Sequence, residues 1–268
     1  MVREPYEGLA TTFDTAAELY ERARPGYPRA LFHDLATSTG LASVRARVLE
    51  IGPGTGQATR ELLDRGWSVV ALEPGPELAA VARRVLADRG DIEVVVSPFE
   101  RWQAPGRELF DLVLAATSWH WVDPQIAYRR AAELLRPGGH LAVVATDHVA
   151  SADADDFFRD VERIYDEVGM GDGLGGPQGP ETLPPPDVEA MRTSGFFAPP
   201  VVHRYVWSRE YTAEEYLALL STYSGHIAAS SRQRETLFMG IRQMIAARPG
   251  ATVRKHYLNT LQIARRAG

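Results

Sequence analysis

Three glycines at alternate positions, Gly52, Gly54 and Gly56, form the stretch of this sequence that is most informative about chemistry. They follow a short apolar segment that is typical of a buried parallel strand, and they precede a helical pattern at residues 58–63. A strand, a glycine turn and a helix allow the backbone to approach a ligand closely. The acid Glu50 lies in the end of the strand, just before the glycines. The stretch therefore predicts a ligand site at the end of the first strand.

Two other kinds of glycine-rich turn compete for this interpretation. A phosphate-binding P-loop ends in Gly-Lys-Ser/Thr, but Gln57 follows the last glycine here and no lysine is present. A dinucleotide fingerprint has its third glycine one place later, at the position of Gln57. The sequence therefore disfavours the P-loop, and a dinucleotide site stays open as the main alternative.

A second acid, Glu73, ends a predicted strand at residues 68–72. It lies roughly 20 residues beyond the first glycine, where dinucleotide enzymes carry an acid that binds ribose. A carboxylate has two acceptor oxygens and can therefore accept hydrogen bonds from two ribose hydroxyls. The alternative is a surface glutamate before a Pro-Gly turn. We favour the ribose role, although it does not by itself identify the cofactor.

Two histidines follow predicted neighbouring strands, His120 after residues 110–116 and His148 after residues 140–145. Ligands of open α/β sheets bind at the carboxyl ends of the strands, so both histidines could face a substrate. Histidine titrates near neutral pH and suits proton removal. The alternative is that each side chain fixes a loop. Asp147 precedes His148, but no third metal ligand is identifiable, so we predict no metal site.

The elements that must position these residues alternate between strand and helix, which is typical of an α/β fold with a parallel sheet. The predicted elements after the glycine turn are a strand at 68–72, a helix at 76–87, strands at 92–96 and 110–116, a helix at 124–135 and a strand at 140–145.

The flanks of this pattern are more helical. Before it the sequence predicts helices at residues 13–23 and 29–38. After it the predictions are a helix at 153–168, a Gly/Pro-rich loop at 169–186, a strand at 201–211, helices at 213–223 and 231–247, and a closing strand at 252–265.

Composition limits the function further. The chain has 268 residues, of which 45% are hydrophobic, and its formal charge of −6 argues against a general nucleic-acid binder. There is no cysteine, which excludes disulfides, cysteine-ligated zinc and a thiol nucleophile. No apolar run approaches the roughly 20 residues that span a bilayer, and the N-terminus lacks a signal-peptide core. We therefore expect a soluble cytoplasmic protein with no membrane partner.

Four motifs resemble class I S-adenosylmethionine (SAM) methyltransferases, in particular the small-molecule branch that contains the trans-aconitate methyltransferases. The glycine turn has the form E-x-G-x-G-x-G. DNA and glutamine N-methyltransferases carry Asn/Asp-Pro-Pro-Tyr after the fourth strand. This sequence lacks that motif, which lowers the expectation of a base- or amide-directed activity. The other three matches are L-Y-E-R-A-R-P-G-Y-P at residues 19–28, F-D-L-V-x-x-A…S-x-H-W-V at 110–122 and L-L-R-P-G-G-x-L at 134–141.

The resemblance implies a Rossmann-like, seven-stranded, mostly parallel sheet. In the plain family fold the last two strands form a hairpin, but here two predicted helices separate them. We therefore expect a single domain over residues 1–268 with a helical cap over the ends of the strands. The expected core covers about 42–150, 187–211 and 251–266, and the expected cap covers about 1–41 and 212–250.

The resemblance also implies which residues bind SAM and the acceptor. Arg24 would give the carboxylate of the cofactor a bidentate partner. Pro98 stands where the family usually has an acid that binds adenine, so the neighbouring Phe99 is the weaker expectation. The acceptor-side residues would be Trp119, Tyr223 and His226. The expected cofactor residues are Tyr20, Arg24, Glu50, Gly52, Pro53, Gly54, Thr55, Gly56, Glu73, Phe99 and Ala115.

The expected activity is in-line transfer of a methyl group to oxygen, nitrogen or a carboxylate of a small molecule, with S-adenosylhomocysteine (SAH) as the product. Positioning supplies much of the rate in such a reaction. Two alternatives stay open: an NAD(P)-dependent oxidoreductase on a similar sheet, and a non-catalytic SAM-binding protein of the same fold.

Overall fold

The computed structural model describes residues 16–106, 109–151, 156–171, 173 and 175–268. Seven strands form one sheet in the order β3-β2-β1-β4-β5-β7-β6, and the first five run parallel. The strand β7 is antiparallel to both of its neighbours. The predicted seven-stranded, mostly parallel sheet is thus confirmed. The strands are β1 (Arg47–Ile51), β2 (Ser68–Glu73), β3 (Ile92–Val96), β4 (Phe110–Ala116), β5 (Leu135–Val149), β6 (Val201–Thr212) and β7 (Thr252–Arg265).

Helices cover the sheet on both faces. The central strands are almost continuously apolar because their alternate side chains enter two different cores. Val48 and Leu112 face one core, and Leu49 and Val113 face the other. The helices are α1 (Ala17–Ala23), α2 (Arg29–Ser38), α3 (Gln57–Leu63), α4 (Pro76–Leu86), α5 (Ala127–Leu134), α6 (Phe157–Glu167), α7 (Val188–Thr193), α8 (Ala213–Leu220), α9 (Ser224–Ala228) and α10 (Ser231–Ala246).

The helices between β6 and β7 build a third apolar cluster beyond the sheet core. It joins α6, α8 and α10 to the first part of β7, with Leu237 and Ile241 fully buried. Two of these helices begin at capping boxes, Thr212 with Glu215 and Ser230 with Gln233, which satisfy the first backbone N–H groups of α8 and α10.

Several boundaries differ from the sequence prediction. The helix predicted at 13–23 is described only over Ala17–Ala23, since residues 13–15 lie outside the described residues. The helix predicted at 124–135 begins at Ala127, after a turn in which the Asp123 carboxylate accepts a hydrogen bond from the backbone N–H of Gln125. The segment 213–223 ends its helix at Leu220, and a separate helix follows at Ser224–Ala228.

Candidate active site

The glycine turn after β1 requires glycine at all three alternate positions. Gly52, Gly54 and Gly56 have φ angles of 62°, 60° and 98°, a region that side chains rarely adopt. A Cβ on Gly52 would lie 2.7 Å from the Cβ of Ser118, and one on Gly56 would lie 2.9 Å from Leu86 Cδ1. The turn is therefore both conformationally restricted and closely covered by its neighbours.

The residues between the glycines make the turn rigid and join it to α1. Pro53 and Thr55 are buried, and the Pro53 carbonyl accepts a hydrogen bond from the Gly56 N–H at 3.0 Å. The amide of Gln57 donates to the Thr55 hydroxyl at 2.9 Å and to the Glu21 carboxylate at 3.3 Å. Gln57 thus connects the turn with the N-terminal segment.

Glu73, at the end of β2, braces the same turn. One of its carboxylate oxygens accepts a hydrogen bond from the Gly54 N–H at 2.9 Å, and the other accepts one from the Gly75 N–H at 2.9 Å. The side chain is buried, although a carboxylate offers about four acceptor positions in all. Glu73 therefore holds the turn through both of its carboxylate oxygens, and its ribose role stays a prediction.

Glu50 is a buried acid without a partner. It is 1% exposed, and within the described residues neither of its carboxylate oxygens has a hydrogen-bond partner. Burial, together with the nearby charge of Glu73, raises the pKa of Glu50 to about 7. The Thr59 hydroxyl opposes this rise but does not reach hydrogen-bond geometry with the acid. A cation that donates hydrogen bonds would satisfy this carboxylate, and the ammonium of SAM is such a group.

The N-terminal segment covers the turn and is attached to the segment between β6 and β7. The Tyr20 ring lies over Gly54, 3.3 Å from the position that a Cβ there would take. The Arg24 guanidinium lies 4.9 Å from the Tyr20 ring centroid and 4.5 Å from that of Tyr223. Arg24 also donates to the hydroxyl of Thr222 at 2.9 Å and to its carbonyl at 2.8 Å. These contacts join α1 to the end of α8.

A cavity of about 330 Å³ lies beside the turn, between the N-terminal segment and the ends of β4, β5 and β7. A chain of hydrogen bonds crosses its floor. The Asn259 amide donates to the Thr146 hydroxyl at 2.7 Å, which pairs with the Thr117 hydroxyl at 2.9 Å. Thr117 pairs with the Tyr27 hydroxyl at 3.1 Å, and Tyr27 donates to the Ala116 carbonyl at 3.2 Å. Thr117 has a φ of 61°, a strained conformation for a β-branched residue, which this network holds in place.

His148 and Lys255 bring two nitrogen groups to the cavity wall. The His148 ring lies 4.3 Å from the Phe158 ring, and its Nε2 is buried with no hydrogen-bond partner in the described part of the chain. Burial, with the nearby charges of Lys255 and His256, lowers the pKa of His148 to about 2. The imidazole is therefore neutral and holds a proton poorly. Lys255 is 4% exposed, and burial, together with the charge of Arg24, lowers its pKa to about 7.

Comparison with known proteins identifies the family. Residues 49–143 match the family model described as a methyltransferase domain. An uncharacterized methyltransferase of Mycobacterium tuberculosis is 30% identical over 242 residues, which are 90% of this chain and 88% of that protein. The chain belongs to the methyltransferase family.

Solved structures agree with the fold of this methyltransferase. The cyclopropane synthase MmaA2 of M. tuberculosis matches with a TM-score of 0.52 and 14% identity, over 98% of this chain and 99% of that one. Phosphoethanolamine N-methyltransferase 2 of Haemonchus contortus, solved with SAM, matches with a TM-score of 0.54 and 18% identity, over 100% of this chain and 61% of that one.

The methyltransferase does not bring its two candidate catalytic histidines together. His148 lies on β5 at the cavity, whereas His120 is exposed in a short 3₁₀ turn after β4, with its ring 4.7 Å from that of Trp121. Burial of part of its ring lowers the pKa of His120. The catalytic role of either histidine stays a prediction.

Three of the candidate ligand residues lie in the apolar core on one face of the sheet. Phe99, Ala115 and Trp119 are buried there, and the Trp119 ring packs 5.4 Å from Tyr128 and 6.3 Å from Phe99. The Phe99 carbonyl also accepts a hydrogen bond from Arg130 at 2.8 Å. Their side chains contribute to the support behind the strand ends, and their ligand roles stay predictions.

The two acceptor candidates of the segment between β6 and β7 differ in position. Tyr223 lines the cavity and stacks on Arg24. His226 lies behind Tyr223, and one of its ring nitrogens, Nε2, hydrogen-bonds the Tyr165 hydroxyl at 2.8 Å. Sequence reasoning missed Lys255 altogether. The available signal was that Lys255 is the only lysine of the sequence, in which every other basic residue of this type is an arginine.

A search of the described residues finds no group of His, Cys, Asp or Glu that could hold a metal ion. None of the described helices is long and apolar enough to span a membrane.

Proposed function

We propose that this methyltransferase uses SAM to methylate a small molecule. One observation carries the proposal: the buried carboxylate of Glu50, which has no hydrogen-bond partner in the described part of the chain, lies at the start of a turn of three glycines with positive φ. An acid that is left without a partner beside a turn that admits no side chains suits a cationic ligand that the backbone must approach closely.

The residues of the site fit the parts of SAM. Glu50 would hold the ammonium, Glu73 the ribose hydroxyls and Arg24 the carboxylate. Arg24 uses its Nε and one terminal nitrogen to bind Thr222, so a carboxylate would meet mainly its other terminal nitrogen, and the bidentate pair expected from the sequence is not free to form through Nε. The name of the H. contortus neighbour supports a small-molecule acceptor, and its complex with SAM supports the cofactor.

When bound, SAM supplies a methyl group that is already activated on sulfur. The protein's own contribution is to exclude water and to position the acceptor. Tyr20 and Arg24 cover the glycine turn, and the Thr117–Tyr27 pair fixes the cavity floor. His148 is neutral with a pKa of about 2, so it is a weak base at neutral pH.

The low basicity of His148 favours an acceptor that need not lose a proton, such as a carboxylate. It disfavours an acceptor that needs His148 as a strong base. The trans-aconitate branch, which the sequence motifs resemble, fits the same expectation. Oxygen and nitrogen acceptors stay within the proposal, with any proton removal assigned to another group.

Two titrations and one assay test the proposal. Isothermal titration should detect SAH binding, and NAD⁺ should bind far more weakly. Methyl release from labelled SAM with a panel of oxygen, nitrogen and carboxylate acceptors should then identify turnover. Preferential NAD⁺ binding would replace the proposal with an oxidoreductase. SAH binding without transfer to any acceptor would favour a non-catalytic SAM-binding protein.

A further inference from the structure

Lys255 is a buried basic residue without a counter-ion among the residues that the structure describes. Its ammonium lies over two aromatic rings, 5.3 Å from the centroid of Tyr257 and 5.7 Å from that of Phe158. Across the described ranges it has no hydrogen-bond or ion-pair partner. Its side chain lines the cavity beside the glycine turn. Removing a lysine from water without a partner costs free energy, which apolar residues of similar size would avoid.

Planar aromatic groups form the wall next to this ammonium. Trp207 and Tyr257, neighbours on β6 and β7, stack with their ring centroids 4.6 Å apart and their planes at 20°. Both line the cavity, as does Tyr223. A ligand ring can stack on such a surface while a charged substituent reaches the adjacent ammonium.

The electrostatic balance of the cavity favours an anion. Arg24 and Lys255 both line it, and the pKa of Lys255 is lowered mainly by burial and also by its repulsion from Arg24. Burial raises the pKa of Asp147, the acid on the same wall, against the opposing charge of Arg204, and so disfavours its ionised form. An anionic ligand would relieve the repulsion between the two cations and restore the charge of Lys255.

We propose that the acceptor pocket takes an aromatic carboxylic acid, whose carboxylate binds Lys255 while its ring packs on Trp207 and Tyr257. The inference rests on the proposed function, because it names the acceptor class of the same site. Lys255 is then a residue that determines substrate specificity. Arg24 would bind the carboxylate of the cofactor and Lys255 the carboxylate of the acceptor, so each cation has its own anion.

Three titratable neighbours of Lys255 have pKa values well away from neutrality. From β5, His148 has a pKa of about 2, and from α9, His226 has its pKa lowered to about 4, mainly by burial. Burial and nearby tyrosines raise the pKa of Tyr257, on the same strand, far above neutrality. The affinity for an acid should therefore fall between about pH 6 and pH 8 as Lys255 loses its proton.

The test uses benzoate and its neutral analogue benzamide as probes. Each is titrated calorimetrically into the full-length protein saturated with SAH, at about pH 6 and about pH 8. Lys255→Met keeps an unbranched side chain that is one atom shorter and removes the charge. Arg254→Met is the matched control, because it removes a cation from the neighbouring residue of the same strand, whose exposed side chain pairs with Glu210.

The proposal expects benzoate to bind more tightly than benzamide and more tightly at pH 6 than at pH 8. Lys255→Met should weaken benzoate by roughly tenfold or more, as expected for a hydrogen bond to a charged group, and should abolish the pH effect. It should leave benzamide and SAH unchanged, and Arg254→Met should change neither probe. The melting temperature of Lys255→Met should be at least that of the parent protein, because this substitution removes a buried unpaired charge.

Equal binding of the two probes, undetectable benzoate binding, or unchanged benzoate affinity in Lys255→Met would each overturn the inference. Weaker SAH binding in that variant, with benzoate unaffected, would also overturn it and would assign Lys255 to the cofactor. The SAH titration of the parent protein separates this result from the proposed function. If SAH does not bind, the proposed function fails, and the same benzoate comparison on the unloaded protein still tests Lys255.

Discussion

Replacing Glu50 by glutamine should make the unliganded protein increasingly more stable than the parent as the pH rises. The same substitution should weaken cofactor binding. Burial is the main cause that raises the pKa of Glu50 from its ordinary value of 4.5 to about 7. The difference between these two values corresponds to roughly 3 kcal/mol, at about 1.4 kcal/mol for each pKa unit. The buried glutamine amide lacks a partner as well, but its cost does not depend on pH.

The sign follows from the protons bound in each state. Between about pH 4.5 and pH 7, the Glu50 carboxyl keeps a proton in the folded protein that the unfolded chain has already lost. The stability of the parent protein therefore falls as the pH rises through this window, and the loss is complete above it. Glutamine does not ionise. The stability of Glu50→Gln relative to the parent should thus increase by about 3 kcal/mol between pH 4 and pH 8.

Urea unfolding at a series of pH values measures this difference, and SAH titration of the same samples measures binding. The ionised acid is the form that attracts an ammonium, so the affinity of the parent for SAH should rise with pH through about pH 7. Glu50→Gln should lack this rise and should bind SAH about 1.5–3 kcal/mol more weakly. Glu61→Gln, which changes a partly exposed acid paired with Arg65, is the control. Stability curves that stay parallel for parent and Glu50→Gln, or equal SAH affinity, would refute the reasoning.

Three further substitutions test other parts of the site. Glu73→Ala should weaken SAH by about 1.5–3 kcal/mol, and an unchanged dissociation constant in a folded variant would rule out the ribose role. Gly54→Val should abolish SAH binding, because its φ of 60° and the nearby Tyr20 ring leave no room for a branched side chain; retained binding would contradict this. Thr222→Val removes the 2.9 Å hydrogen bond to Arg24 and should speed hydrogen exchange in residues 16–28 and 213–247. In the parent protein, SAH should slow exchange in the same two segments. Exchange that responds neither to the substitution nor to SAH would argue against a cap.

The sheet could be predicted from the sequence because its strands carry their own signal. A strand buried on both faces is a continuous apolar run, and turns with glycine or proline bound it, so β2, β3 and β4 were predicted to within a residue. The helix α7 was not predicted. It has only six residues, Val188–Thr193, which is too few to show a helical period.

The two histidines show why position along the sequence does not settle position in a site. Each follows a predicted strand, so the sequence treats them alike. The strand β4 ends at Ala116, and His120 lies in a 3₁₀ turn that leaves the sheet. The strand β5 continues through His148 to Val149 because β7 pairs with it along that length, as His148 opposite Tyr257 illustrates. The pairing partner that decides the difference lies more than a hundred residues away in the sequence.

The cavity floor was beyond prediction for a related reason. Asn259, Thr146, Thr117 and Tyr27 come from three strands and the N-terminal segment, and each is an ordinary polar residue in its local context. Their hydrogen bonds depend on the register between β5 and β7, in which Asn259 lies opposite Thr146. A single sequence contains no signal for such a register beyond the apolar alternation.

The site combines two buried charged groups of opposite sign that lack partners among the residues that the structure describes. Burial raises the pKa of Glu50 to about 7 and lowers the pKa of Lys255 to about 7, so each group is partly neutral near pH 7 in the unliganded fold. Neither helps the fold, because a buried polar group without a partner costs free energy. A cofactor ammonium at Glu50 and an acid at Lys255 would restore both charges. Cofactor binding should therefore release a proton, and binding of the acid should take one up.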